Sequence, residues 1–244
     1  MARQRNSGSA PSSATEDAES KSALTRVRIL DAAAKVLSEK GYAGMRLTDV
    51  AAGAELQAPA IYYYYSSRDD LVEAVMWSGI ADMREHVQAV LDKLPAGTPP
   101  LDRLLAAAEA HLRHALDISD YTTASIRNAG QVPLAIRKRQ ILEEERYGEI
   151  WRKLINDLAR EGQLRRELDL HIAQMLVLGA LNWAVEWWQP RLGSLDAVVA
   201  NAQSIIRNGL SDAAPPKPAS ARRSRSTGST ATSRPKAAPR KADA

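Results

Sequence analysis

Residues 47–71 read LTDVAAGAELQAPAIYYYYSSRDDL, and the fold turns on how this stretch can be accommodated. Apolar residues recur three and four apart in two short bursts, over about 46–53 and 57–64, with a tight turn between them. Helices this short are unstable alone, because the cost of nucleation is not recovered over two turns. They need a common core. Leu47, Val50, Ala51, Leu56, Ile61 and Tyr65 can supply one, and the small Ala51 and Ala54 let two helices cross closely, as a helix-turn-helix requires. The second helix then projects Gln57, Ala58, Pro59 and Ala60 away from that core, where a major groove can receive them. Pro59 is acceptable there because first-turn amides have no partner within a helix.

Working outward, a helix is expected from about 22 to 40, with Leu24, Val27, Leu30, Ala34 and Leu37 on one face and Gly41 to end it. After the two short helices, Ser67 is a good N-cap for a long helix to Leu94 that turns Leu71, Val72, Val75, Met76, Ile80, Met83, Val87 and Val90 inward. Pro95 to Pro100 breaks it, and helices follow near 100–117, 119–129, 134–161, 170–189 and 195–208. Pro133, Gly162, Pro190, an N-cap at Ser194 and Gly209 just past the last helix punctuate them. Strict alternation with β-branched residues is missing, so the fold class is all-α: an N-terminal three-helix helix-turn-helix domain joined to a larger C-terminal helical bundle. The expected division is an N-terminal arm (1–20), the helix-turn-helix domain (21–68), the bundle (69–211) and a basic tail (212–244). The two ends lack apolar periodicity and are expected to be disordered.

The absence of cysteine excludes disulfides, thiolate metal sites and cysteine nucleophiles. The most apolar stretch, 175–185, is interrupted by Asn182 and too short to span a bilayer, so a cytoplasmic protein with no membrane partner is expected. Residues 215–244 carry Lys217, Arg222, Arg223, Arg225, Arg234, Lys236, Arg240 and Lys241 against Asp243 alone, which leaves the rest of this +4 chain net negative. The basic isoelectric point therefore describes the tail, and nucleic-acid binding has to be argued from a motif. A nucleophile elbow, a phosphate loop, a zinc-binding His pair and a dinucleotide fingerprint are all missing, so no enzyme, cofactor or metal site is expected. His111 and His114 are expected to be exposed or capping, and Glu143, Glu144 and Glu145 to pair with Arg137, Lys138, Arg139 and Arg146 on a solvated face.

The order GYAG (41–44), DVA (49–51), an apolar residue before the second short helix, IYYYY (61–65) and SSRDDL (66–71) resembles the N-terminal domain of TetR/AcrR regulators over about 24–75. LGALNWAVEWWQP (178–190) is similar to a subset of them near their dimerising helices. The resemblance implies a ligand-responsive, sequence-specific, homodimeric transcriptional regulator. Its expected partners are a short palindromic operator in double-stranded DNA and a small-molecule effector, of lipid or acyl-thioester class, that releases a repressor. It places Thr48, Gln57, Ala58, Pro59 and Tyr63 toward bases, and Tyr62, Tyr64 and Arg68, with Ala60 beside them, at phosphates. The chemistry agrees, since a Tyr hydroxyl can donate to phosphate, Gln57 can bond a base edge, and Ala58 or Pro59 can touch a thymine methyl. The second short helix has no Lys or Arg, so Arg26, Arg28, Arg46 and Arg68 are left to supply phosphate affinity. Two departures stand out. Glu55 takes the family's turn glycine, at a cost of about 1–2 kcal/mol if the turn needs a positive φ. Met45 replaces the usual Thr or Ser cap, so Gly44 caps the first short helix or it starts uncapped.

Several readings stay open on the sequence. The four tyrosines could be mere core, although they point in four directions. Trp183, Trp187 and Trp188 could be packing or the wall of a ligand pocket. Pocket candidates are Met83, His86, Tyr121, Arg127, Asn182 and Trp183, aromatic, polar or polarizable interruptions of apolar faces. At the expected dimer interface Gly179 and Ala180 allow close approach, while Trp183, Trp187, Val198 and Ile205 supply apolar area. The basic tail could be a solubilising appendage or an electrostatic tether to DNA. It also leaves a second class of function, a non-specific architectural DNA-binding protein.

Overall fold

The computed structural model describes residues 13–211, with backbone alone for 13–19 and Ile118. The tail and residues 1–12 of the arm lie outside the described residues. Among the described residues the elements are α1 (Ser13–Gly44), α2 (Leu47–Gly53), α3 (Ala58–Tyr64), α4 (Arg68–Asp92), α5 (Pro100–Arg113), α6 (Asp120–Asn128), α7 (Lys138–Arg160), α8 (Leu170–Trp187) and α9 (Leu195–Leu210). A π turn at His114–Ile118 follows α5, and a single antiparallel bridge joins Leu164 to Ser211.

Local signals act where expected. Gly41, at φ 69°, breaks the regular run of α1, and Gly162, at φ 66°, follows α7. Ser67 Oγ accepts from the Asp70 amide at 3.0 Å, and Ser194 Oγ from that of Ala197 at 3.2 Å. The corrections are equally local. The backbone of 13–20, assigned to the arm, is already helical in α1. The segment is built of Ala, Glu, Ser, Thr and Asp without Gly or Pro, and extending an existing helix gains one hydrogen bond for each residue fixed. Leu24 and Val27, expected inward, are exposed because these first turns run beyond the core that covers Ile29, Ala33 and Leu37. Gly209 lies inside α9 rather than past it.

Two apolar cores share α4. Leu71, Val72, Val75 and Met76 close over the helix-turn-helix with Ile29, Leu37, Val50, Ile61 and Tyr65. Further along, Ile80, Met83, Val87 and Leu91 belong to the bundle core with Leu104, Trp151, Leu154, Ile155 and Leu181. The acidic run is not uniformly solvated, since α7 packs on α4 and Glu143 is buried with Arg84 Nε at 2.9 Å and Arg146 as partners. Burial alone would raise the Glu143 pKa, but these donors hold it below the ordinary carboxylate value.

Candidate DNA-binding face and effector-binding bundle

The helix-turn-helix presents α3 outward. Gln57 occupies the N-cap position in extended backbone, yet its side chain makes no capping bond and stays exposed. Pro59 and Thr48 are exposed, Ala58 and Ala60 half-buried. The four tyrosines divide as their directions require: Tyr63 is 84% exposed, Tyr62 is exposed, Tyr64 is half-buried against Tyr63 with ring centroids 5.2 Å apart, and Tyr65 is core. The turn takes the strained option, for Glu55 has φ 56°. Arg28 is bonded to the Ala54 carbonyl and paired with Glu55 at 3.5 Å, which ties this turn back to α1. The α2 N-cap residue is Arg46, without a side-chain cap, so neither Met45 nor Gly44 serves and α2 starts uncapped.

Most arginines around this face are already engaged. Arg26 stacks over Tyr65 at 4.7 Å and bonds the Tyr64 carbonyl. Arg68 stacks over Tyr42 at 4.3 Å and donates to the Met45 and Tyr42 carbonyls, so it clamps the α1–α2 connection to the start of α4. Of the four cations named for phosphate, Arg46 alone is exposed without an intramolecular partner. Tyr42, whose hydroxyl donates to Asp69 Oδ1 at 3.3 Å, was missed. The aromatic of the GYAG motif one residue after a helix-ending glycine was its available signal.

The face is coupled to the bundle through α6. Asn128 is fully buried and accepts from the Tyr42 amide at 2.7 Å while donating to the Leu37 carbonyl at 3.2 Å, so a bundle residue caps the end of α1. Arg127 donates to the carbonyls of Ser38 in α1 and Val185 in α8, and pairs with Glu186 at 3.6 Å. The Tyr121 hydroxyl donates to Asp31. On the α4 side, Thr122 and Ser125 donate to the carbonyls of Gly79 and Met76 at 3.0 and 2.7 Å. The helices meet so closely that a Cβ at Gly79 would stand 2.2 Å from the Tyr121 carbonyl oxygen. Tyr121 and Arg127, named as pocket candidates, thus have their polar ends on α1 and α8.

Within the bundle the structure gathers other candidates. His111, 1% exposed, and His114, 7% exposed, correct the expectation of an exposed or capping role. His111 belongs to the buried stripe of Leu104, Ala107, Ala108 and Ala115, and that spacing could have revealed it. His111 Nδ1 lies 2.9 Å from the Tyr147 hydroxyl, and Trp151 stands edge-on to both rings. His86 of α4 stacks on His114 at 4.7 Å, and the Asn182 amide of α8 approaches His111. Burial, with a smaller effect of neighbouring imidazoles, lowers the pKa of His111 to about 3 and of His114 to about 4. Met83 is core, whereas Trp183 faces outward at 65% exposure. Trp183 joins Trp187, Ala180, Val198 and Ile205 around an open groove of about 990 Å³ between α8 and α9; Gly179 is exposed on α8 with nothing within 4 Å of its would-be Cβ.

An exposed recognition helix, coupled through α4 and α6 to a bundle with polar groups inside and apolar groups outside, defines a ligand-responsive DNA-binding transcriptional regulator. Residues 29–75 match the model of bacterial regulatory proteins of the tetR family, and residues 97–210 that of the tetracyclin repressor-like C-terminal domain. The chain belongs to the TetR family. It is 24% identical to the HTH-type transcriptional repressor KstR2 of Rhodococcus jostii, over 76% of this chain and 90% of that protein. Among solved structures it resembles AibR in complex with isovaleryl coenzyme A and operator DNA, with a TM-score of 0.67, 18% identity and coverage of 75% and 97% of the two chains. FadR of Bacillus subtilis in complex with stearoyl-CoA is similar at a TM-score of 0.63, 17% identity and 75% and 98% coverage. Among the described residues no helix is long and apolar enough to cross a membrane.

Proposed function

We propose that this protein is a homodimeric, cytoplasmic repressor without enzymatic activity, released from a short palindromic operator by a small acyl thioester or related lipid. The observation that carries the DNA-binding part is the exposure of Gln57, Pro59 and Tyr63 at the start and outer face of α3, with no intramolecular role for the Gln57 amide. Gln57, Ala58, Pro59, Tyr63 and Thr48 read bases, while Arg46, Tyr62, Tyr64 and the backbone near Ala60 hold phosphates. Arg68, already bonded within the protein, positions the α1–α2 connection against α4. The acyl-thioester class is supported by the coenzyme A esters in the AibR and FadR complexes.

The second copy docks on the α8–α9 groove, where Trp183 and Ile205 are 65% and 72% exposed around small Gly179 and Ala180. The proposed boundaries remain 21–68 and 69–211, with α4 common to both units. Ligand in the bundle favours one arrangement of α6 against α4, and the bonds of Asn128, Arg127 and Tyr121 carry that preference to α1. Such coupling is commonly worth about 1–3 kcal/mol, set by the ligand's differential affinity for the two arrangements. With three of the four arginines at the face engaged, the basic tail adds phosphate neutralisation beside the operator. Sequencing the fragments that the pure protein selects from random DNA tests this reading. One palindrome should emerge, and its contrast should fall for Gln57→Ala and Tyr63→Ala. Absence of any motif would return the architectural reading, and undiminished contrast would remove α3 as the recognition helix.

A further inference from the structure

We propose that His111, His114 and Trp151 form the polar end of the effector site and receive the neutral carbonyl oxygen of an otherwise apolar ligand. This rests on the effector reading above and narrows it to one functional group. The buried side-chain nitrogens without a well-formed partner include His111 Nε2, both nitrogens of His114, and Trp151 Nε1; His111 and His114 lie three residues apart, and Trp151 stands edge-on to the His111 ring. Native proteins rarely leave such atoms unsatisfied, so a cluster of them implies a missing partner. A second observation points to the same place: the π turn starts at His114, where α5 departs from regular geometry. Single π turns are found frequently at functional sites.

The partner's chemistry follows from counting donors. Trp151 Nε1–H approaches the Tyr147 oxygen without closing a regular bond, and burial keeps that phenol protonated, so Tyr147 donates to His111 Nδ1. His111 Nε2 then carries the hydrogen, and the Asn182 side chain approaches it without closing a regular bond. Neutral His114 adds one donor and one acceptor, and Trp151 a donor. Counted as groups without a well-formed bond, the Asn182 and Tyr147 oxygens lying near but not closing one, three N–H groups stand against one imidazole acceptor, an excess of donors that a ligand oxygen would balance. Both imidazoles are held neutral and the surrounding core is apolar, so an ionised carboxylate would enter without a counter-charge. A ketone, ester or thioester carbonyl fits, and any charged part of the ligand remains outside this cluster.

Calorimetric titration of the full-length protein at pH 7.5 with 2-decanone and with decanoate tests the assignment. The ketone should bind at least about tenfold more tightly than the acid. Trp151→Phe and His114→Phe should each weaken the ketone by about three- to tenfold. His114→Phe should also raise the melting temperature of the ligand-free protein, since it removes a buried unsatisfied group while keeping an aromatic ring in place. A purely structural role would lower it. Tighter binding of decanoate, binding of neither probe, or variants that bind like the wild type would overturn the proposal, as would a fall in melting temperature for His114→Phe. A protein that still selects its operator but fails these titrations keeps the regulator reading and loses this one. Ketone binding without operator selection does the reverse.

Discussion

The helix-turn-helix and the bundle invert each other's surface chemistry. Around α3 the core is apolar, and the residues proposed for function are polar or aromatic and exposed, Gln57 and Tyr63 above all. In the bundle the anomalies are the opposite: imidazoles and an indole N–H are buried, while Ile172, Leu176, Trp183 and Ile205 lie on the outside. Polar residues outside and apolar residues inside need no explanation beyond solvation. The bundle's inverted residues do: the outer ones are those proposed to meet a second chain, and the inner ones those proposed to meet a ligand.

The comparison breaks most readily at the outer face. Ile205→Glu places a carboxylate in the α8–α9 groove, where desolvating an unpaired charge should weaken self-association by about 100-fold or more. Sedimentation should then show monomer at micromolar concentration and operator affinity should collapse. A stable dimer in this variant would sever the exposed apolar residues from assembly.

The inner anomaly is sharpened by pH. Unfolding returns His111 and His114 from about 3 and 4 to near 6.5, so the unfolded chain binds more protons throughout that interval. Stability present above pH 6.5 is therefore lost as pH falls toward 4, by up to about 1.4 kcal/mol per histidine per pH unit. Glu143 and Asp157, whose pKa values lie below the ordinary carboxylate range, act at lower pH and do not mask this window. Denaturant titrations at pH 7.5 and 5.5, at fixed protein concentration, should differ by about 3 kcal/mol. Equal stabilities at the two values would show that these imidazoles are not buried neutral.

The smallest effect lies in the helix-turn-helix. Glu55→Gly relieves the left-handed backbone at φ 56° and loses an ion pair that is largely solvent-exposed. A gain of about 1 kcal/mol in unfolding free energy is expected, with the selected operator motif unchanged. A loss of stability would show that the Arg28 contacts through this turn outweigh the strain.

Much was decided by the sequence alone. The all-α class, the paired short helices, the caps at Ser67 and Ser194, the break at Gly41 and the division of the four tyrosines follow from periodicity, capping and backbone preference, which act over a turn or two of chain. The strain at Glu55 was also readable, because a glycine position occupied by another residue states its own cost. What the tertiary structure decided concerns residues far apart in sequence. Leu24 and Val27 carry the right spacing for a core but extend past anything that covers them. Arg68 reads as a phosphate ligand until Tyr42 and the Met45 carbonyl are folded against it. His111 and His114 look solvated until α7 and α8 close over α5, and α6 becomes a joint only once Asn128 meets the end of α1. Burial and pairing are properties of what arrives from elsewhere in the chain, and no local pattern encodes which partner that will be.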